Sequence, residues 1–296
     1  MSEVADLFDP AFLRTLDRLT LITRRPLAGV MQGERRSPRR GASVEFADYK
    51  PYVPGDDFRQ IDWNLYARLE RFFLKLFVAE EEVTLHLLVD ASASMDWGHP
   101  NKLRYALRAA GSLGYIALAS LDRVAVQAFG GAAGAAGRQR PVRGRAGALP
   151  LLNFLSRVRA AGSAALLESC RRYAQTAGVV GPLLLCSDLL DERWREALAA
   201  LRRRPFEITV LHILSPDELA PAFEGDLRLV DIEGGEPVEV SADVDLLERY
   251  QERLAGWRSE IETYCAGHDI NYIFVPTTIP LEELLLDILQ RRGVLR

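Results

Sequence analysis

The chain of 296 residues is long enough to bury a sizeable core, and its 48% hydrophobic and 26% charged content is that of an ordinary globular protein. A net charge of -4 supplies no basic face for neutralising phosphates, which argues against a nucleic-acid partner. Cys170, Cys186 and Cys265 stand far apart, so they make neither a disulfide framework nor a Cys-x-x-Cys metal site, and every apolar run is interrupted by Arg, Asp or Glu before the roughly 20 residues of a membrane helix. The first ten residues hold three acidic side chains and neither a basic nor an apolar leader region. A cytoplasmic, reducing setting without a membrane span is expected.

In chain order, residues 8–30 begin with a helix in which Phe12, Leu13, Leu16, Leu19 and Ile22 recur at helical spacing. Residues 33–41 follow as a basic, turn-rich stretch that reads as a solvated loop or as a contact for an acidic partner. Residues 83–90 are almost wholly apolar and β-rich, as expected of a central parallel strand covered on both faces. A helix over 103–121, a strand over 123–129, a Gly/Ala loop over 130–137 and a short edge strand over 138–143 come next. Helices near 147–159 and 164–177 precede a second buried strand at 182–187. The alternation continues with helix 191–203, strand 206–214, helix 243–265, strand 270–275 and helix 280–290. Strands separated by helices specify an α/β fold with a doubly wound, mostly parallel sheet. Between residues 227 and 240, two extended runs flank Glu233-Gly234-Gly235-Glu236 and predict a small hairpin insertion.

In such a sheet, ligands bind beyond the carboxyl ends of the strands. Asp90-Ala91-Ser92-Ala93-Ser94 stands after the first central strand, and Ser187-Asp188 after the second. A loop curling over the strand end can turn Asp90, Ser92 and Ser94 towards one point, where oxygen donors suit a hard cation such as magnesium. Nothing in this loop suits zinc. The same pentapeptide can serve instead as a helix N-cap, and so can Ser163, which lies before the 164–177 helix. Taken together, Asp-x-Ser-x-Ser, a later hydroxyl and a strand-end Ser-Asp resemble the metal-ion-dependent adhesion site of von Willebrand factor A domains over residues 83–275. That resemblance implies Asp90, Ser92, Ser94, Ser163 and Asp188 as ligands of magnesium or manganese. Serine stands at 163 where threonine is usual, which keeps the oxygen and loses a methyl that restricts its rotamer.

Upstream, Tyr52-Val53-Pro54-Gly55-Asp56-Asp57-Phe58-Arg59-Gln60-Ile61-Asp62-Trp63 is denser in special residues than a linker requires. It resembles the hallmark of the bacterial DUF58 family, and Ala67-Arg68 and Lys75 continue the likeness. Asp56, Asp57 and Arg59 read either as part of a polar staple or as a partner-docking surface, with Met95 and Trp97 as further surface candidates beyond the metal loop. The expected organisation is a signature segment over 1–82 packing on a von Willebrand factor A-like domain over 83–278, followed by a C-terminal helix over 279–296.

The resemblance implies a noncatalytic module in which a partner's Asp or Glu completes the metal shell, and it pairs such chains with MoxR-type AAA+ ATPases. The chain carries no Gly-x-x-x-x-Gly-Lys-Ser/Thr loop of its own, so the ATPase is expected to be a separate protein. The alternative is a metal-dependent phosphohydrolase with Asp90 as nucleophile. That chemistry wants a second carboxylate two residues on, where Ser92 stands, and no Gly-x-Ser-x-Gly elbow is present. His86 and His212 fall inside strand patterns and read as core residues, while His99 and His268 lack ligand spacing.

Overall fold

A computed structural model describes residues 7, 8, 16, 44–79, 83–120, 122–130, 137–221, 225–230, 232, 237–242 and 244–295. The chain forms two compact units, Arg24–Glu82 and Met1–Thr23 with Val83–Arg296. The basic stretch at 33–41 and most of the helix expected from residue 8 lie outside the described residues. Leu7, Phe8 and Leu16 are described, and all three are buried in the core of the larger unit.

In the smaller unit, β1 (Val44–Pro51) pairs antiparallel with β2 (Phe73–Ala79), with a register shift between Phe46 and Asp48. The sequence reading assigned neither strand. Between them, Gly55 turns the chain at φ 112°, and α1 (Trp63–Leu69) follows. Asp62 caps α1 by accepting from the Asn64 and Leu65 amides at 3.0 and 3.2 Å, and it also accepts from the Tyr49 hydroxyl at 3.0 Å. Tyr66 stacks on Phe72 with ring centroids 4.4 Å apart, and Trp63 meets both rings edge-on.

The larger unit begins with β3 (Thr84–Asp90), α2 (Lys102–Ala119), β4 (Arg123–Phe129) and the short β5 (Val142–Arg143). Then come α3 (Ala148–Ser156), α4 (Leu166–Thr176), β6 (Pro182–Ser187), α5 (Trp194–Arg202), β7 (Glu207–Leu214) and α6 (Pro216–Leu219). A hairpin of β8 (Gly225–Leu229) and β9 (Val238–Ala242), α7 (Val244–Ala266), β10 (Asn271–Pro276) and a helical stretch over 281–291 complete it. The predicted turn of that hairpin, 233–236, lies outside the described residues.

The main sheet runs β10-β7-β6-β3-β4-β5, parallel throughout except for β5. Counted from β3 this is the 3-2-1-4-5-6 order of a doubly wound sheet, as expected of a von Willebrand factor A-like fold. Every residue of β3 is buried, and the alternation of its side chains divides two cores. Leu85, Leu87 and Val89 join the cluster containing α2 and α3, whereas Leu88 joins the cluster containing α4 and α5. Such strands must be apolar along their whole length, which is why 83–90 and 182–187 were readable. Because β3 and β6 are neighbours while their crossovers leave in opposite directions, their carboxyl ends frame the switch-point crevice.

Candidate functional site

Asp90 is the last residue of β3 and Asp188 directly follows β6, so the topology brings the two sequence-distant carboxylates to one crevice. Asp90 is completely buried. Its Oδ1 accepts from the Ser92 amide at 3.0 Å and the Ser92 hydroxyl at 2.7 Å, and its Oδ2 accepts from the Ser187 hydroxyl at 2.7 Å. Ser187 in turn accepts from the Leu189 amide at 3.0 Å, which commits its single proton to Asp90. The Ser92 proton is committed likewise, so Ser94, 3.0 Å away, donates to Ser92. The hydroxyl oxygens keep spare lone pairs, and these are hard donors.

Ser92 stands at the N-cap position of the 3-10 turn over Ala93–Met95, but its side chain makes no capping bond there. The cap of α2 is Asn101, which accepts from the Arg104 amide at 2.9 Å, and the cap position of α4 is Ala165. The free Leu166 amide at the start of α4 is satisfied by Asp191 at 3.1 Å. The helix-cap alternative therefore fails for Ser92, Ser94 and Ser163 alike. Two backbone bonds, Ala93 N to Gly162 O at 2.8 Å and Ala161 N to Ala91 O at 2.9 Å, lay the Ser163 loop along the first loop. Ser94 is half-buried and Ser163 exposed, so the oxygen donors run from the buried carboxylate out to solvent. Gly130, at φ 102°, backs the loop: a Cβ there would stand 2.6 Å from the Ser92 amide nitrogen.

Burial, reinforced by the nearby Asp188 charge, pushes the Asp90 carboxyl well above the ordinary carboxylate range against the pull of its hydrogen bonds. Asp90 has no cationic partner among the described residues. Asp188 does: its Oδ2 meets Lys102 Nζ at 2.8 Å, while its Oδ1 accepts from the Leu190 amide at 3.2 Å. Lys102 is wholly buried and also pairs with Glu218, whose other oxygen accepts from the amide and hydroxyl of Ser215. Burial alone would lower the Lys102 pKa, but the Asp188 and Glu218 charges outweigh it and hold it above the ordinary lysine value. With all three carboxyls ionised, three carboxylates against one ammonium would leave two negative charges among the described residues of the crevice. An all-oxygen donor set with that deficit is of the kind a divalent magnesium or manganese ion would fit, and Asp90, Ser92, Ser94, Ser163 and Asp188 are the residues that would hold it.

Sequence reasoning named Ser187 within the strand-end Ser-Asp pair without giving it a role, and it missed Lys102 and Glu218. Of the expected surface residues, Met95 is instead fully buried in the core, because the turn of helix over 93–95 points it inward, whereas Trp97 is half exposed. In the smaller unit, Asp56 pairs with Lys50 at 3.1 Å and accepts from the Val53 amide, and Asp57 caps the turn by accepting from the Arg59 amide at 2.9 Å. These carboxylates serve their own turn and are half-buried, whereas Arg59 is exposed.

Fold and site together define a doubly wound α/β protein with an acidic, hydroxyl-rich crevice at its switch point. The chain belongs to the DUF58 family, described as protein of unknown function DUF58, which it matches over residues 48–260. It is 27% identical over 272 residues to the uncharacterized proteins Mb1516 of Mycobacterium bovis and Rv1480 of Mycobacterium tuberculosis, covering 88% of this chain and 84% of each relative. Among solved structures it is similar to an aerotolerance-related membrane protein from Bacteroides fragilis, at 20% identity and a TM-score of 0.37, over 65% of this chain and 91% of that one. The conserved hypothetical protein BatB from Bacteroides thetaiotaomicron matches at the same identity and TM-score, over 66% and 90%.

Proposed function

We propose that this chain is a noncatalytic, metal-dependent protein-binding module. A magnesium or manganese ion is held by Asp90, Ser92, Ser94, Ser163 and Asp188, and an Asp or Glu of a partner protein completes its shell. The observation that carries this reading is that Ser92, Ser94 and Ser187 converge with Asp90 without a side-chain bond to a helix start, leaving a buried carboxylate with no cation among the described residues. The metal supplies a positive centre that draws a carboxylate; the chain's residues orient it and leave one side open at Ser163. The likeness of the Pro54–Trp63 signature to DUF58 chains favours a MoxR-type AAA+ ATPase as that partner, in assembly or maturation of other proteins, in the cytoplasm.

The phosphohydrolase alternative is disfavoured by the same geometry. That chemistry wants a second carboxylate two residues after the nucleophile, and there Ser92 stands, its hydroxyl donating to Asp90 at 2.7 Å. A pull-down of the ATPase by the full chain, with magnesium or with chelator, tests the proposal. Wild type should retain the ATPase only with metal, and Asp90→Asn and Ser94→Ala should lose it; retention by all three proteins in chelator would refute the reading.

A further inference from the structure

We propose that Lys102 is a tethered counter-ion that shares Asp188 with the bound metal and thereby sets how tightly the site holds it, with Glu218 controlling Lys102. The inference rests on the metal reading above. Lys102 opens α2, at the far end of the loop that begins after Asp90. A cation is electrostatically unfavourable at a helix N-terminus, where the free amides already carry positive charge, and a wholly buried ammonium also loses its hydration. Two carboxylates must therefore be supplied to keep it there, and they come from different elements. Asp188 is at the end of β6, and Glu218 sits on α6, where Ser215 and Glu218 form a reciprocal capping box.

Asp188 faces both ways. Its contact with Lys102 at 2.8 Å cancels part of the charge it offers a metal, although each carboxylate oxygen retains capacity for a second partner. Glu218 competes for the same ammonium, so the more firmly it holds Lys102, the more of the Asp188 charge remains for the metal. The expected consequence is a site that keeps its fold without metal and binds it exchangeably. Tyr250 of α7 donates to the Glu218 carbonyl at 2.7 Å, which fixes the α6 end of this chain of contacts.

Calorimetric titration of the full chain with manganese tests this, with circular dichroism as the check on folding. Lys102→Met should bind manganese on the order of tenfold more tightly than wild type, because a unit positive charge near the site is gone. Its thermal midpoint should fall in chelator and recover with manganese. Glu218→Gln should bind several-fold more weakly, and that loss should vanish in the Lys102→Met/Glu218→Gln double variant, as required if Glu218 acts through Lys102. If wild type binds manganese while Lys102→Met binds it equally or less well, the inference is overturned and the metal reading stands. If neither wild type nor any variant binds manganese, both fall. Should Lys102→Met not fold, Glu218→Gln carries the test, and an unchanged affinity there overturns the inference.

Discussion

At the scale of the residue, the two aspartates of the site have opposite dependence on their surroundings. Asp90 is a buried carboxyl with hydroxyl and amide donors but no cation among the described residues, whereas Asp188 is half of a buried ion pair. Stranding a buried charge costs about 3–5 kcal/mol, and Asp188→Ala incurs part of that cost, because the buried Lys102 is left with Glu218 alone. Asp188→Ala should therefore lower the urea midpoint markedly, while Asp90→Asn, which keeps the shape, removes a desolvated charge and offers a donor that the Ser187 hydroxyl can rotate to accept, should leave it close to wild type. Loss of metal binding in both, but of stability in Asp188→Ala alone, is the expected pattern; equal destabilisation would contradict it. The ligand oxygens were legible because Asp90, Ser92 and Ser94 are neighbours in sequence. Lys102 was not, since a lysine opening a helix reads as solvated, and its partner Glu218 lies 116 positions away.

At the scale of the element, the buried parallel strands were legible from their unbroken apolar runs, and the edge was not. The expected strand over 138–143 reduces to Val142–Arg143 plus an isolated bridge between Gln127 and Arg138, because Pro141 has no amide to give the ladder. The strands β1 and β2 were not legible although residues 73–78 are mostly apolar and β-rich, because the turn residues between them carry the stronger local signal. Histidine in β3 was read correctly as core, and its bonding makes a pH prediction. His86 Nε2 donates to the Val179 carbonyl at 2.9 Å, so Nδ1 is the acceptor of the Tyr173 hydroxyl at 2.6 Å, and the ring is neutral. Burial, with help from the charges of Arg138 and Arg204, lowers its pKa from 6.5 to about 4. The unfolded chain thus takes up this proton first: the stability is complete above pH 6.5 and is lost as the pH falls towards 4, by about 3 kcal/mol in all. Urea titrations of wild type and His86→Gln at pH 7 and pH 4.5 should show wild type losing more stability than the variant, and equal losses would contradict the assignment.

At the scale of the whole molecule, the doubly wound order explains why one crevice gathers residues from positions 90 to 218. Placing β3 and β6 side by side turns four sequence-distant loops towards one point, and a ligand that joins those loops must stabilise the larger unit as a whole. The doubly wound class was legible from the alternation of elements, whereas the 3-2-1-4-5-6 order depends on contacts that no local pattern carries. A metal that binds only the folded state at a hundred times its dissociation constant adds about 2.7 kcal/mol, which for a unit of this size corresponds to a rise of roughly 5–10 °C in the unfolding midpoint. Magnesium should therefore raise the midpoint of the full chain by that order, and Asp90→Asn should abolish the rise. Hydrogen exchange then localises the effect. Protection should increase at the ends of β3 and β6 and at the start of α2, where the loops converge, and should be unchanged over 44–79, which forms its own compact unit. Equal protection in both units would mean that magnesium acts as a general ionic effect and not through the crevice.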